Sequence, residues 1–110
     1  MIKITALRDE KEQLLFLEAR GHSGYSSEGQ DIVCSAVSTL IQTLAVGLID
    51  VLHLENIEEH IDPEKACMSY RWREPVTPEL KVLTETIFLS LKGIQQAYPD
   101  YIKIFEGELT

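Results

Sequence analysis

Positive charge is scarce in this 110-residue chain. Ten Lys and Arg stand against eighteen Asp and Glu, for a net charge of −8. Phosphate backbones are bound by clusters of Lys and Arg, so this composition argues against DNA or RNA as a direct partner. It would suit a basic partner drawn in by long-range steering, although from charge alone a surface acidic merely for solubility is the commoner case. Cysteine is scarcer still, with Cys34 and Cys67 alone. No CxxC and no HxxxH pair connects Cys34, Cys67, His22, His53 and His60. No metal site is therefore expected, and no cofactor. Gly21-His22-Ser23-Gly24 lacks the Lys and the spacing of a phosphate-binding loop. The opening MIKITALRDE has neither a basic nor an apolar leader region, so no signal peptide is expected. Both thiols are then expected to be free in a reducing cytoplasmic setting. Repeats, low-complexity runs and Pro/Ser-rich linkers are missing too. Residues 1–110 are expected to form a single domain.

Apolar residues make up 45% of the chain, enough for an ordinary core. Residues 1–7 alternate, with Ile2, Ile4 and Ala6 on one face, and read as a half-buried strand. Residues 13–20 read as its hairpin partner. Their apolar stretch at 14–17 suits the interior of a sheet. Residues 32–49 carry no charge, between Asp31 and Asp50. Such a run is long enough to span a bilayer. Its Ser, Thr and Gln residues and its acidic flanks point instead to a helix buried on most of its circumference. One side would pack on the sheet and another could meet a second subunit, so a homodimer and no membrane are expected. A second hairpin follows, from strands at 56–61 and 66–73 around the turn Asp62-Pro63-Glu64-Lys65. Thr77-Pro78-Glu79 starts a helix, with Leu80, Leu83, Ile87, Leu91 and Ile94 as its apolar stripe. Pro99 stops it, and 101–106 reads as a last, edge strand. The order ββαββαβ predicts an α+β two-layer sandwich, a mainly antiparallel sheet with two helices on one face.

The chemistry concentrates in GHSGYSSEGQDIVCSAVS, residues 21–38. Asp31 suits the helix N-cap, which puts Cys34 in the first turn. Free amides and the positive end of the helix dipole there favour a thiolate and could hold an oxyanion. His22, at the end of the second strand, can fold back to take the thiol proton and return it to a leaving amine. Gly21 permits an unusual turn beside it. Ser38 lies one helical turn beyond Cys34, on the same face. Each residue also has a plainer reading. Cysteine in an apolar helix is usually packing, a His at a strand end is often surface, and Ser38 could bond back to the carbonyl of residue 34. The grouping of thiol, imidazole and Gly-containing loop is what favours a cysteine nucleophile.

These residues resemble the ribosomal-processing cysteine proteases called Prp. Gly21-His22, Tyr25, Gly29 and the run from Asp31 through Ser38 carry the likeness, which extends in length and element order over the whole chain. The resemblance implies a cytosolic bacterial endopeptidase that removes a short N-terminal extension from large-subunit ribosomal protein twenty-seven, cutting after aromatic residues. It implies Cys34 as nucleophile, His22 as general base, and Gly21, Asp31 and Ser38 as supporting or substrate-binding positions. It also implies a homodimer, a mobile loop over the site at 23–30, and an apolar pocket near Cys34. The competing reading is a non-catalytic ribosome-assembly binding module, in which the acidic surface docks a basic protein and Cys34 is merely packed.

Overall fold

Alternation over the first residues forms β1 (Ile2–Arg8), with Ile2, Ile4 and Ala6 buried. The protein is described from a computed structural model over residues 1–27, 31–73 and 75–109. Asp9 closes the first turn: its Oδ1 accepts the amides of Lys11 and Gln13 at 2.9 Å each. The chain returns antiparallel as β2 (Leu14–Arg20). On its other side β2 pairs antiparallel with β4 (Cys67–Arg71), so it is a central strand. Leu14, Leu15, Leu17 and Ala19 are all buried, and a register shift at Leu7/Arg8 skips Leu15 in the pairing with β1, so Leu14 and Leu15 break the alternation. The β3 strand (Glu58–Asp62) pairs with β4 through the turn that Asp62 begins; its Oδ1 accepts the Lys65 amide at 3.2 Å. The last strand, β5 (Ile102–Glu108), lies beside β1.

The sheet order is β3-β4-β2-β1-β5. Three of its pairings are antiparallel and the β1–β5 pairing is parallel. The predicted order of elements holds, in a mixed sheet that is mainly antiparallel. Register brings the apolar residues to one face. Ala6 faces Leu17, which faces Tyr70; Ile4 faces Ala19 and Ile104; Ile2 faces Ile102. Trp72 closes one end of this layer, its Nε1 donating to the Leu14 carbonyl at 2.8 Å. At the outer border of β5, the amide of Ile104 donates to Gln95 Oε1 at 2.6 Å.

Two helices cover this layer. α1 (Ile32–Ala45) continues into a wider π-type turn over Val46–Val51. α2 (Pro78–Ala97) starts where the sequence predicts, with Thr77 Oγ1 accepting the Leu80 amide at 3.2 Å. Its buried stripe is Leu80, Thr84, Ile87, Phe88 and Leu91. Leu83 and Ile94, predicted in the stripe, sit half-buried at its margin. Thr84 fits among hydrocarbon because its hydroxyl donates to the Leu80 carbonyl at 2.9 Å. Arg8 clamps β1 to α2 through both carboxylate oxygens of Glu85, at 2.7 and 2.9 Å.

Burial around α1 corrects the expectation of a helix hidden on most of its circumference. Only the stripe Val33, Val37, Ile41 and Leu44 is buried, extended by Gly47 and Leu48. Ile32, Val46, Ile49 and Val51 face outward. The physical reason is the two-layer design: helices lie on one side of the sheet alone, so nothing in the chain covers their backs. The segment Ile32–Val51 is long and apolar enough to cross a membrane by composition, yet its inward stripe is packed into this core. Where the two helices come closest, a Cβ on Gly47 would fall 2.4 Å from Leu83 Cδ2.

Candidate active site

The site grows from the end of β2. Arg20 is its last residue, and Gly21 then turns the chain with φ of +94°, a left-handed conformation that other residues resist. The Gly21 amide donates to the Ala66 carbonyl at 2.9 Å, which pins the turn to the neighbouring strand end. Space forbids a side chain there as well, since a Cβ would sit 2.7 Å from the Met1 carbonyl oxygen. His22 follows and is exposed, while Ser23 points inward and is buried.

Asp31 is the N-cap of α1, as the sequence predicts. Its backbone is extended, and Oδ1 accepts the amides of Val33 and Cys34 at 3.0 Å each. The second oxygen, Oδ2, accepts the hydroxyl of Ser23. Asp31 is buried, and burial by itself would push its carboxyl up. Hydrogen bonds from the Ser23 hydroxyl and from the Cys34 and Ser26 backbones outweigh that, holding it down at about 2. The carboxylate is therefore committed to the loop and the helix start.

This arrangement overturns one expectation. The amides of Val33 and Cys34 are not open to an oxyanion, because the Asp31 carboxylate occupies both. The sulfur gains a different donor: the Ser23 amide lies 3.2 Å from Cys34 Sγ. That N–H holds the sulfur at the mouth of the helix start by a direct hydrogen bond. Ser23 is the residue that sequence reasoning missed. It sits among Ser23, Ser26 and Ser27, and nothing local marks one of three serines for burial. Only the fold-back of the loop onto the helix start brings it to the sulfur.

Gly21, His22, Cys34 and Ser38 line one cleft of about 350 Å³. Four of the five predicted positions thus meet at one opening, and Asp31 lies beneath as the cap. Cys34 is partly exposed there. No hydrogen bond joins the His22 ring to Cys34 Sγ. Catalytic contacts of this kind commonly tighten only with substrate in place. Ile2, Val37, Ile61 and Met68 supply apolar wall to the same cleft. Of the predicted loop at 23–30, residues 28–30, including Gly29, lie outside the described residues. Cys67 differs from Cys34: it is buried, and burial, followed by the charge of Glu18, pushes its thiol up. Among the described residues no three His, Cys, Asp or Glu side chains gather as a metal would require.

Comparison with known proteins bears on this geometry. Residues 1–103 match the family model described as cysteine protease Prp. The ribosomal processing cysteine protease Prp of Mycoplasma pneumoniae is 31% identical over 110 residues, covering 98% of this chain and 96% of that protein. Its counterpart in Mycoplasma genitalium is 34% identical over 91 residues, covering 83% and 87%. The crystal structure of the ribosomal processing protease Prp from S. aureus, in complex with a covalently linked product peptide, matches the fold with a TM-score of 0.88 at 20% identity. It covers 96% of this chain and 99% of that one.

Proposed function

The chain belongs to the family of cysteine proteases named Prp, and from that premise we propose that Cys34 is its nucleophile and His22 its general base. His22 takes the proton from Cys34 Sγ, and the thiolate attacks the carbonyl carbon of the scissile peptide bond. The C–N bond breaks as the imidazolium hands its proton to the departing amine. Water, deprotonated by the same ring, then hydrolyses the thioester and frees the sulfur. Gly21 holds the turn that carries His22, Asp31 fixes the helix start that carries Cys34, and Ser38 offers a hydroxyl to the substrate in the cleft. The observation that carries this reading is the Ser23 amide on the Cys34 sulfur, in a cleft that His22 also lines.

Membership in a protease family sets aside the non-catalytic assembly module. The family's ribosomal processing role supports a ribosomal protein as substrate. We infer the N-terminal extension of large-subunit ribosomal protein twenty-seven, a basic protein that suits a chain of charge −8. The apolar wall formed by Ile2, Val37, Ile61 and Met68 would receive the aromatic side chain before the cut bond. The two free thiols support a reducing, cytoplasmic setting. A homodimer is supported by the outward apolar face of the helices. There Val46, Val51 and Val82 are at least half exposed and border a hollow of about 780 Å³.

The test is cleavage of the extended ribosomal protein, followed by mass spectrometry. The natural chain should shorten the substrate. Cys34→Ala and His22→Ala should leave its mass unchanged, with rates down at least about a thousandfold and far-ultraviolet circular dichroism preserved. Ordinary turnover by Cys34→Ala would end this reading.

A further inference from the structure

The segment that brings Ser23 to the sulfur is also held at a second point. The Tyr25 ring meets two others edge-on, with centroids 5.6 Å from Tyr98 and 5.1 Å from Tyr101. Both of these rings ride on fixed backbone. Tyr98 caps α2, its amide donating to the Ile94 carbonyl at 2.8 Å. Tyr101 precedes β5; its amide donates to the Tyr98 carbonyl at 3.0 Å, and its carbonyl accepts the Ile2 amide at 2.9 Å. From Tyr25 a short chain of bonds leads to the sulfur. The Tyr25 amide donates to Ser23 Oγ at 3.1 Å, that hydroxyl donates to Asp31, and the Ser23 amide donates to Cys34 Sγ at 3.2 Å. Tyr25 is 42% exposed, so its seat is these two edge contacts rather than burial in the core.

We propose that Tyr25 is a positioning residue, whose ring, seated against Tyr98 and Tyr101, keeps the Ser23 amide on the Cys34 sulfur. Tyr25 fixes where the segment begins its path across the helix start, and so fixes the angle at which the Ser23 N–H meets the sulfur. With the ring removed, Ser23 keeps its bond to Asp31 but loses the outer brace, and its amide is no longer held on the sulfur. The ring matters for this brace and the phenol hydroxyl does not, since both contacts are made by ring edges and faces.

The proposal rests on Cys34 as the nucleophile, and its test reads the thiol without any turnover, so failure of one is distinguishable from failure of the other. Alkylation of Cys34 by iodoacetamide is followed by mass spectrometry from pH 5 to 10 in the natural chain, Tyr25→Ala, Tyr25→Phe and Tyr101→Ala. The high-pH plateau reports access to the sulfur, and the position of the profile reports thiolate support. Tyr25→Ala and Tyr101→Ala should slow the reaction at pH 7 about three- to tenfold at an equal plateau. Tyr25→Phe should follow the natural profile. The kcat for peptide cleavage should drop with the alkylation rate while KM holds. A Tyr25→Ala profile that superimposes on the natural one overturns the proposal. So does a Tyr25→Phe chain as slow as Tyr25→Ala.

Discussion

The amide of Gly21 donates to the carbonyl of Ala66 at 2.9 Å, one step beyond the last paired residues of β2 and β4, Arg20 and Cys67. This bond extends the ladder past the strand ends and turns the chain toward His22. The backbone at Gly21 is left-handed, with φ of +94°, and the Met1 carbonyl occupies the place a side chain would take. Gly21→Ala should therefore cost about 1–3 kcal/mol in stability, as strained backbone positions do. Cleavage should fall further than the loss of folded protein explains, because His22 is carried on the same turn. Urea denaturation beside an activity assay checks both; a variant as stable as the natural chain contradicts the strain argument.

The two thiols should be distinguishable by chemistry alone. Cys34 opens onto the cleft with an N–H on its sulfur, while Cys67 is 2% exposed and its thiol is pushed up by burial. Iodoacetamide at pH 7 should label Cys34 at least about tenfold faster than Cys67. Peptide mapping of partly labelled protein gives the ratio, and equal labelling would remove the basis for a selectively activated sulfur.

Acid should loosen the helix start. The folded chain holds the Asp31 carboxyl down at about 2, below its ordinary value of 3.8. Its carboxylate form is thus favoured by folding. The stabilisation is complete above about pH 4 and disappears as pH falls to about 2, a swing of about 2 kcal/mol. Asp31→Asn keeps one capping oxygen but cannot titrate. Denaturation from pH 6 to pH 2 should show the natural chain losing its advantage over Asp31→Asn across that interval. A constant difference between the two proteins would contradict the assignment.

The proposed dimer can be separated from the fold. Val82 is 68% exposed, so Val82→Asp should alter chain stability by no more than about 0.5 kcal/mol. A buried charge in an apolar contact between copies is costly, and the association should weaken sharply. Light scattering after size exclusion should give twice the 12.5 kDa chain mass for the natural protein and close to one chain mass for the variant. A natural protein that runs as a single chain removes the dimer from the proposal.

What the sequence made legible is what is local. Alternation at Ile2, Ile4 and Ala6, the cap at Asp31 and the Thr77-Pro78 helix start each depend on residues within one turn or one hairpin, and each forms as read. The parallel join of β1 to β5 was not legible, because Ile2 and Ile102 meet across the whole chain and no periodic signal records that distance. The exposed back of α1 is not legible, because an uncharged run carries no mark of which of its faces the core will cover. At the site, a thiol in a first turn and a histidine at a strand end could be picked out by residue type. The fate of the helix amides could not. Whether a capping carboxylate takes two of them, and whether a loop serine then supplies the sulfur's donor, depends on how the loop folds back.

Gln95 meets the Ile104 amide on the outer border of β5, and the effect reaches beyond one bond. A bare strand border invites another strand to zip on, which is how sheets grow into fibres. Here a side-chain stopper fills one of the vacant docking positions on that flank. The opposite flank, β3, carries Glu59 and Asp62, with Glu58 paired to Arg73 at 3.0 Å, so an identical flank approaching it meets mainly negative charge. Both flanks of the sheet are thus set against endless lateral stacking.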